Sequence, residues 1–274
     1  MIRAAALIAL TLGGCTAAAA PQAAGPRPTF VSLNPCTDAI LAEVADPAQI
    51  LAISHYSHNP AASSMDSATA RQFRSVGDGV EEVIALHPDV VVASTYLPPA
   101  ARAALARLGM RTKLVGIAAT VEDSKAQVRM LAALAGHPAR GAALNARIDA
   151  AIAASAAPPG PRLPAVVWQS GGIVAGEDTL VSAMMAHAGF ANLAARRGMR
   201  QADAMPLEAM LADPPRVIFT AGSPAAQEDR MLRHPALDTL AGVTRAPLGS
   251  ALLYCGGPTI IRAAERLAYV RRSL

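Results

Sequence analysis

Residues 81–94 read EEVIALHPDVVVAS, and residues 208–221 read EAMLADPPRVIFTA. With Glu81 laid on Glu208, the apolar helix positions coincide, as do Pro88 with Pro215 and Val90-Val91-Val92 with Val217-Ile218-Phe219. Proline cannot continue a helix, and a short apolar run bounded by turn signals reads as a buried strand. Each copy is therefore one helix-to-strand unit. Two such units, far apart in the chain, indicate two similar lobes.

Outward from the first copy, helices and strands alternate. Strands are expected at 29–33, 49–54, 90–93 and 113–117, with helices at 37–45, 80–87 and 98–108. That alternation predicts a parallel sheet with crossover helices. Residues 120–157 break the pattern, being rich in Ala, Leu and Arg without a strand signal. Thr120 is placed to cap the start, with Glu122 and Asp123 favourable in the first turn. Gly136-His137-Pro138 divides the stretch into two helices, the second of about 19 residues and roughly 28 Å. Pro158-Pro159-Gly160-Pro161 ends it, and alternation resumes with strands at 165–169, 216–220 and 251–254. Helices are expected at 180–188, 207–212 and 259–270. The chain thus divides into a signal at 1–14, a tether at 15–28, lobes at 29–119 and 161–274, and a helical segment at 120–160.

The N-terminus sets the compartment. Arg3 precedes an apolar run from Ala4 to Leu12, about half the ~20 residues that a membrane span needs. It reads as a secretory signal. Leu12-Gly13-Gly14-Cys15 resembles a bacterial lipobox, which makes Cys15 the acylated residue of a lipid-anchored periplasmic protein. The Ala- and Pro-rich stretch that follows is a flexible tether.

A formal net charge of +4 arises almost wholly from scattered arginines, since Lys113 and Lys125 are the lysines. Nucleic-acid binding asks for a basic stripe with interleaved aromatics, which is missing. Nucleophile-elbow, Walker and zincin motifs are also missing, and Gly77-Asp78-Gly79 lacks the third glycine of a dinucleotide fingerprint. The chain is expected to be no enzyme and to hold no permanent cofactor.

Polar residues concentrate after the carboxyl ends of expected strands, where open α/β sheets bind ligands. Asn34, Cys36, Thr37 and Asp38 follow the first strand, and His55, Tyr56 and His58 follow the second. Trp168 ends a strand of the second lobe, and Cys255 and Gly256 follow another. The candidate ligand-binding set is Asn34, Cys36, His55, Tyr56, His58, Trp168, Cys255 and Gly256. Cys36, His55, His58 and Cys255 are also residue types that ligate Zn, Cu or haem iron, so a metal-binding protein or metalloenzyme is the alternative reading. A disulfide between Cys36 and Cys255, or two buried thiols, stays open beside it.

Longer stretches resemble a known family. They are FVSLNPCTDAILAEV at 30–44, ILAISHYSHNP at 50–60, VGDGVEEVIALHPDVVVAS at 76–94, GEDTLVSAMMAHAGFANLAA at 176–195, PLEAMLADPPRVIF at 206–219 and HPALDTLAGV at 234–243. Together they resemble class III periplasmic binding proteins, which serve ABC importers for cobalamin, ferric siderophores and haem. The resemblance implies an α/β fold of two lobes with small parallel sheets, joined by a long backbone helix, and a ligand held between them. It also implies a monomer that docks through one glutamate per lobe, Glu81 and Glu208, on the importer's membrane permease. Cobalamin is the first expectation for the ligand, then haem or a ferric siderophore.

Overall fold

A computed structural model describes residues 27–77, 79–222 and 227–274. The expected signal, Cys15 and most of the tether lie outside the described residues.

The first lobe runs β1 (Phe30–Ser32), α1 (Pro35–Val44), β2 (Ile50–Ser54), α2 (Ser67–Ala70), β3 (Ser75–Val76), α3 (Val80–Ile84), β4 (Val90–Ser94), α4 (Pro99–Arg107) and β5 (Thr112–Val115). Two helices follow, α5 (Val121–Leu134) and α6 (Pro138–Ala154). The second lobe runs β6 (Leu163–Gln169), β7 (Ile173–Ala175), α7 (Leu180–His187), β8 (Phe190–Asn192), α8 (Leu193–Arg196), β9 (Ala202–Ala204), α9 (Leu207–Ala212), β10 (Val217–Ala221), β11 (Thr244–Pro247) and α10 (Thr259–Arg272).

The sheets have the orders β3-β2-β1-β4-β5 and β11-β10-β6-β7-β9, with β8 pairing β6. Every pair in the first sheet is parallel. The second is mixed: β10 and β11 are parallel to their neighbours, as is β8 to β6, whereas β7 and β9 run antiparallel. The sequence repeat has its structural counterpart here. Phe30 of β1 pairs with Val90 of β4, as Ala165 of β6 pairs with Val217 of β10. Val83 and Met210, equivalent in the repeat, are both completely buried beneath their sheets.

Apolar packing ties the lobes together. One continuous cluster contains Phe30 and Val90 from the first sheet, Val167 and Phe219 from the second, and Leu131, Ile148 and Leu267 from α5, α6 and α10. The outer face of each sheet has its own cluster, around Val91 and Leu105 in one lobe and Trp168 and Met210 in the other. Covered on both faces, the strands read as near-continuous apolar runs.

Helix starts follow local chemistry. Thr120 and Asp123 form a reciprocal capping box on α5, which satisfies donors that lack a partner in the first turn. The strand expected at 251–254 is not formed; Ser250–Leu252 is a single 3-10 turn and the last strand is β11. Of β11's residues only Ala246 is buried, so this edge strand carries no apolar run to read.

Helices α5 and α6 meet closely at Gly141, where an added Cβ would lie 2.5 Å from the Ala132 Cβ. Gly141→Val should cost about 1–3 kcal/mol by overpacking, read as a lower urea midpoint. Pairing it with Ala132→Gly should recover part of that loss.

Candidate functional site

The carboxyl ends of the strands gather exposed apolar side chains. Tyr56 follows β2, Tyr96 follows β4, Ile117 lies just beyond β5, Ile173 opens β7 and Tyr254 precedes α10; all are exposed, Tyr96 by 75% and Ile117 by 67%. Surface tyrosines and isoleucines are ordinary when scattered, but Ile117, Ile173 and Tyr254 come together around one cavity. Between the lobes lies a cavity of about 410 Å³, within the range of small-molecule sites. Ile117 and Ala118 line it from the first lobe, and Gln169, Ile173, Gln201 and Tyr254 from the second. Its one carboxylate, Asp178, is paired with Arg200 at 2.7 Å. The remaining lining is apolar, amide or hydroxyl.

One edge of this cleft is covalently closed. Cys36, in the first turn of α1, forms a disulfide with Cys255, 219 positions later, with Cα atoms 5.0 Å apart. The turn bearing Cys255 is held by packing and a hydrogen bond. Gly257 donates its N–H to the Ser124 Oγ at 2.6 Å. A Cβ on Gly256 would meet that Oγ at 2.3 Å, and one on Gly257 would meet the Ile40 Cγ1 at 2.6 Å. Gly257 also has φ +60°, a conformation that only glycine adopts without strain.

The turn after β2 is fixed from below. Asp38 is completely buried, and its Oδ2 accepts from the Ser54 N–H at 2.9 Å and the Ser57 hydroxyl at 2.6 Å. Oδ1 has no partner. Burial pushes the Asp38 carboxyl up to about 7, against smaller lowering effects of Ser32, Ser57 and Ser54.

Several expected site residues have other surroundings. Trp168 has no exposed surface and packs with Val166, Leu193 and Met210, so it cannot form a wall of the cleft. The Asn34 side chain caps α1 by accepting from the Cys36 N–H. Gly256 is buried against α5. The four-residue metal set is not assembled: the sulfurs of Cys36 and Cys255 bond each other and offer no thiolate, and the His58 Nε2 lies 3.1 Å from the Phe73 carbonyl oxygen. Among the described residues, no group of three His, Cys, Asp or Glu side chains is placed to hold a metal. His55 and Tyr56 are exposed side by side, ring centroids 4.1 Å apart.

Sequence reasoning passed over Tyr254, Ile117, Ile173, Gln169 and Gln201 as site residues. A usable signal existed: Tyr56 and Tyr96 follow strands and Tyr254 stands in the turn before α10, so three of the four tyrosines lie outside long helices and strands. Glu81 and Glu208 lie in the first turns of α3 and α9, both exposed.

Asp38 generates a pH prediction. Its folded value exceeds the unfolded one, so between about pH 4 and 7 the folded chain holds more protons than the unfolded chain. The contribution of Asp38 to stability therefore falls as pH rises through that window and levels off above it, by an amount on the order of a few kcal/mol. Asp38→Asn should flatten that part of the melting-temperature profile; an unchanged slope would exclude Asp38 as its source.

A family model described as periplasmic binding protein matches residues 30–244. Among solved structures, the chain is similar to the periplasmic heme-binding protein RhuT from Roseiflexus sp. RS-1, with 21% identity, 90% of this chain and 99% of that chain covered, and TM-score 0.76. A periplasmic heme-binding protein from Pseudomonas aeruginosa gives 22% identity, 89% and 92% coverage, and TM-score 0.71. The periplasmic vitamin B12 binding protein BtuF of Vibrio cholerae gives 18% identity, 90% and 98% coverage, and TM-score 0.71. No curated protein sequence matches. At such identities the structural likeness is one of fold, and the family assignment rests on the matched model. The chain belongs to the periplasmic binding protein family, whose members bind solutes and do not catalyse reactions.

Proposed function

We propose that this chain captures a metal-containing chelate between its lobes, a cobamide before haem or a ferric siderophore, and delivers it to an ABC importer. The observation that carries the reading is the lining of the interlobe cavity, whose one carboxylate, Asp178, is paired with Arg200 and whose other groups are uncharged. Tyr254, Ile117 and Ile173 offer apolar surface to a flat ring, and Gln169 and Gln201 offer paired donors and acceptors. A corrin ring is fringed with neutral amides, which these groups complement. Haem carries two propionates and most ferric siderophores are acidic; both need a free cation, and Arg200 already faces Asp178. The B12-binding relative favours this choice and the heme-binding relatives favour the second. Haem also draws support from His55 and the exposed tyrosines, residue types that serve as axial ligands.

In this reading the lobes span 29–119 and 161–274, with 120–160 between them. Cys15 anchors the receptor to a periplasmic membrane surface after residues 1–14 are removed. Glu81 and Glu208 meet basic residues of the permease. Neither has an ion-pair partner among the described residues, and exposed carboxylates offered to arginine form strong charge-assisted pairs. The metalloenzyme alternative loses its ligand set to the disulfide.

A ligand that binds only the folded state at 100 times its Kd adds about 2.7 kcal/mol to stability. Cyanocobalamin should therefore raise the melting temperature, and hemin or ferric chelates should raise it less. A shift with hemin alone would replace the cobamide reading, and no shift with any of them would overturn the ligand class. Glu81→Ala combined with Glu208→Ala should leave cyanocobalamin affinity within twofold and abolish uptake in cells. Lost affinity in that double variant would overturn the docking assignment.

A further inference from the structure

We propose that the first turn of α1 is a gauge: it fixes the width of the interlobe cleft and so selects ligands by thickness. The proposal rests on the cleft being the ligand site, and it assigns Cys36 and Asp38 as positioning residues. Two residues of one helical turn tie it to both lobes. Cys36 reaches across to Cys255, next to Tyr254, which lines the cavity. Asp38 reaches down to Ser54 and Ser57, which bracket Tyr56 in the turn after β2. Because Cys36 and Asp38 share a rigid turn, the wall that carries Tyr254 is referred to the β2 side of the first lobe.

The gauge is stiff in a measurable sense. Disulfides hold their Cα atoms within roughly 4.4–6.8 Å. Starting from 5.0 Å, this edge opens by about 2 Å at most. The anchor on the far side is equally constrained, since Gly256 and Gly257 leave no room against Ser124 and Ile40. A second tie crosses beside it, where the Arg262 guanidinium of α10 donates to the Ser64 carbonyl of the first lobe. At the cavity, Ile117 and Ala118 face Gln201 and Ile173 with no covalent link. Changes in lobe separation are therefore pivots about the Cys36–Cys255 pin, and the gap beside the pin stays constant.

Two readouts test this, one of them independent of any ligand. Spin labels on non-cysteine side chains introduced at the exposed positions Arg107 and Ala212 report the distance between lobes by pulsed electron resonance. In full-length protein carrying Cys36→Ala and Cys255→Ala, the distance distribution should broaden by more than 5 Å relative to the parent; an identical distribution overturns the gauge. In the second readout, cyanocobalamin affinity should fall at least tenfold in the same variant, measured well below its melting temperature. Affinity within twofold of the parent overturns the role in selection. If the double variant melts below the assay temperature, the parent opened by a dithiol reductant, which takes the disulfide to two thiols as it becomes a cyclic disulfide, supplies the same comparison. Asp38→Ala should keep the parent's distance distribution but lose tenfold in affinity, with Asp38→Asn restoring it; unchanged affinity in the alanine variant removes Asp38 from the gauge. If cyanocobalamin fails to bind even the parent, the ligand assignment falls while the distance readout still decides whether the pin holds the lobes.

Discussion

Cys36 and Cys255 stand 219 positions apart and share one covalent bond at the junction of the lobes. Much of the surrounding structure is arranged to allow that bond. The first turn of α1 presents Cys36 because Asn34 caps the helix and Pro35 starts it. The partner turn reaches Cys36 because two glycines let its backbone lie against α5 and α1. Closing a chain loop of this length removes unfolded-state freedom equivalent to about 5 kcal/mol. The bond therefore acts twice, on stability through the unfolded chain and on cleft width through the folded one.

Chemistry in the cleft follows from what has been removed from it. The cysteines are oxidised, Asp178 is paired and Trp168 is buried. Besides the paired Asp178, what faces the cavity is apolar surface, hydroxyls and two carboxamides. Such a lining favours a large uncharged ligand over an acidic one, because a buried anion without a partner is costly. Asp38 holds the turn of Tyr56 from beneath.

Much of the architecture was legible because it rests on apolar patterning. The repeat around Glu81 and Glu208 marked α3–β4 and α9–β10, and Thr120 marked the start of α5. Short edge elements were not legible. β7, β8 and β9 have three residues each, too few for periodicity, and β11 buries one side chain. For the candidate site, sequence reasoning chose side chains by chemical type. Trp168 and Asn34 are chemically suited to ligand binding, yet one is enclosed by packing and the other by a helix cap. Only three-dimensional proximity separates Tyr254, which lines the cavity, from Gly256 two positions on, which packs on α5. The same holds for the cysteines, whose spacing fitted bond, thiol and ligand alike.

The central claim is that a cobalt macrocycle sits between Ile117 and Tyr254, beside the disulfide pin. Crystals grown with cyanocobalamin and measured at the cobalt absorption edge test it most directly. The account requires one anomalous peak in the interlobe cavity, with the corrin amides within hydrogen-bond reach of Gln169 or Gln201. A cobalt peak elsewhere on the surface, or none at saturating ligand, would contradict it.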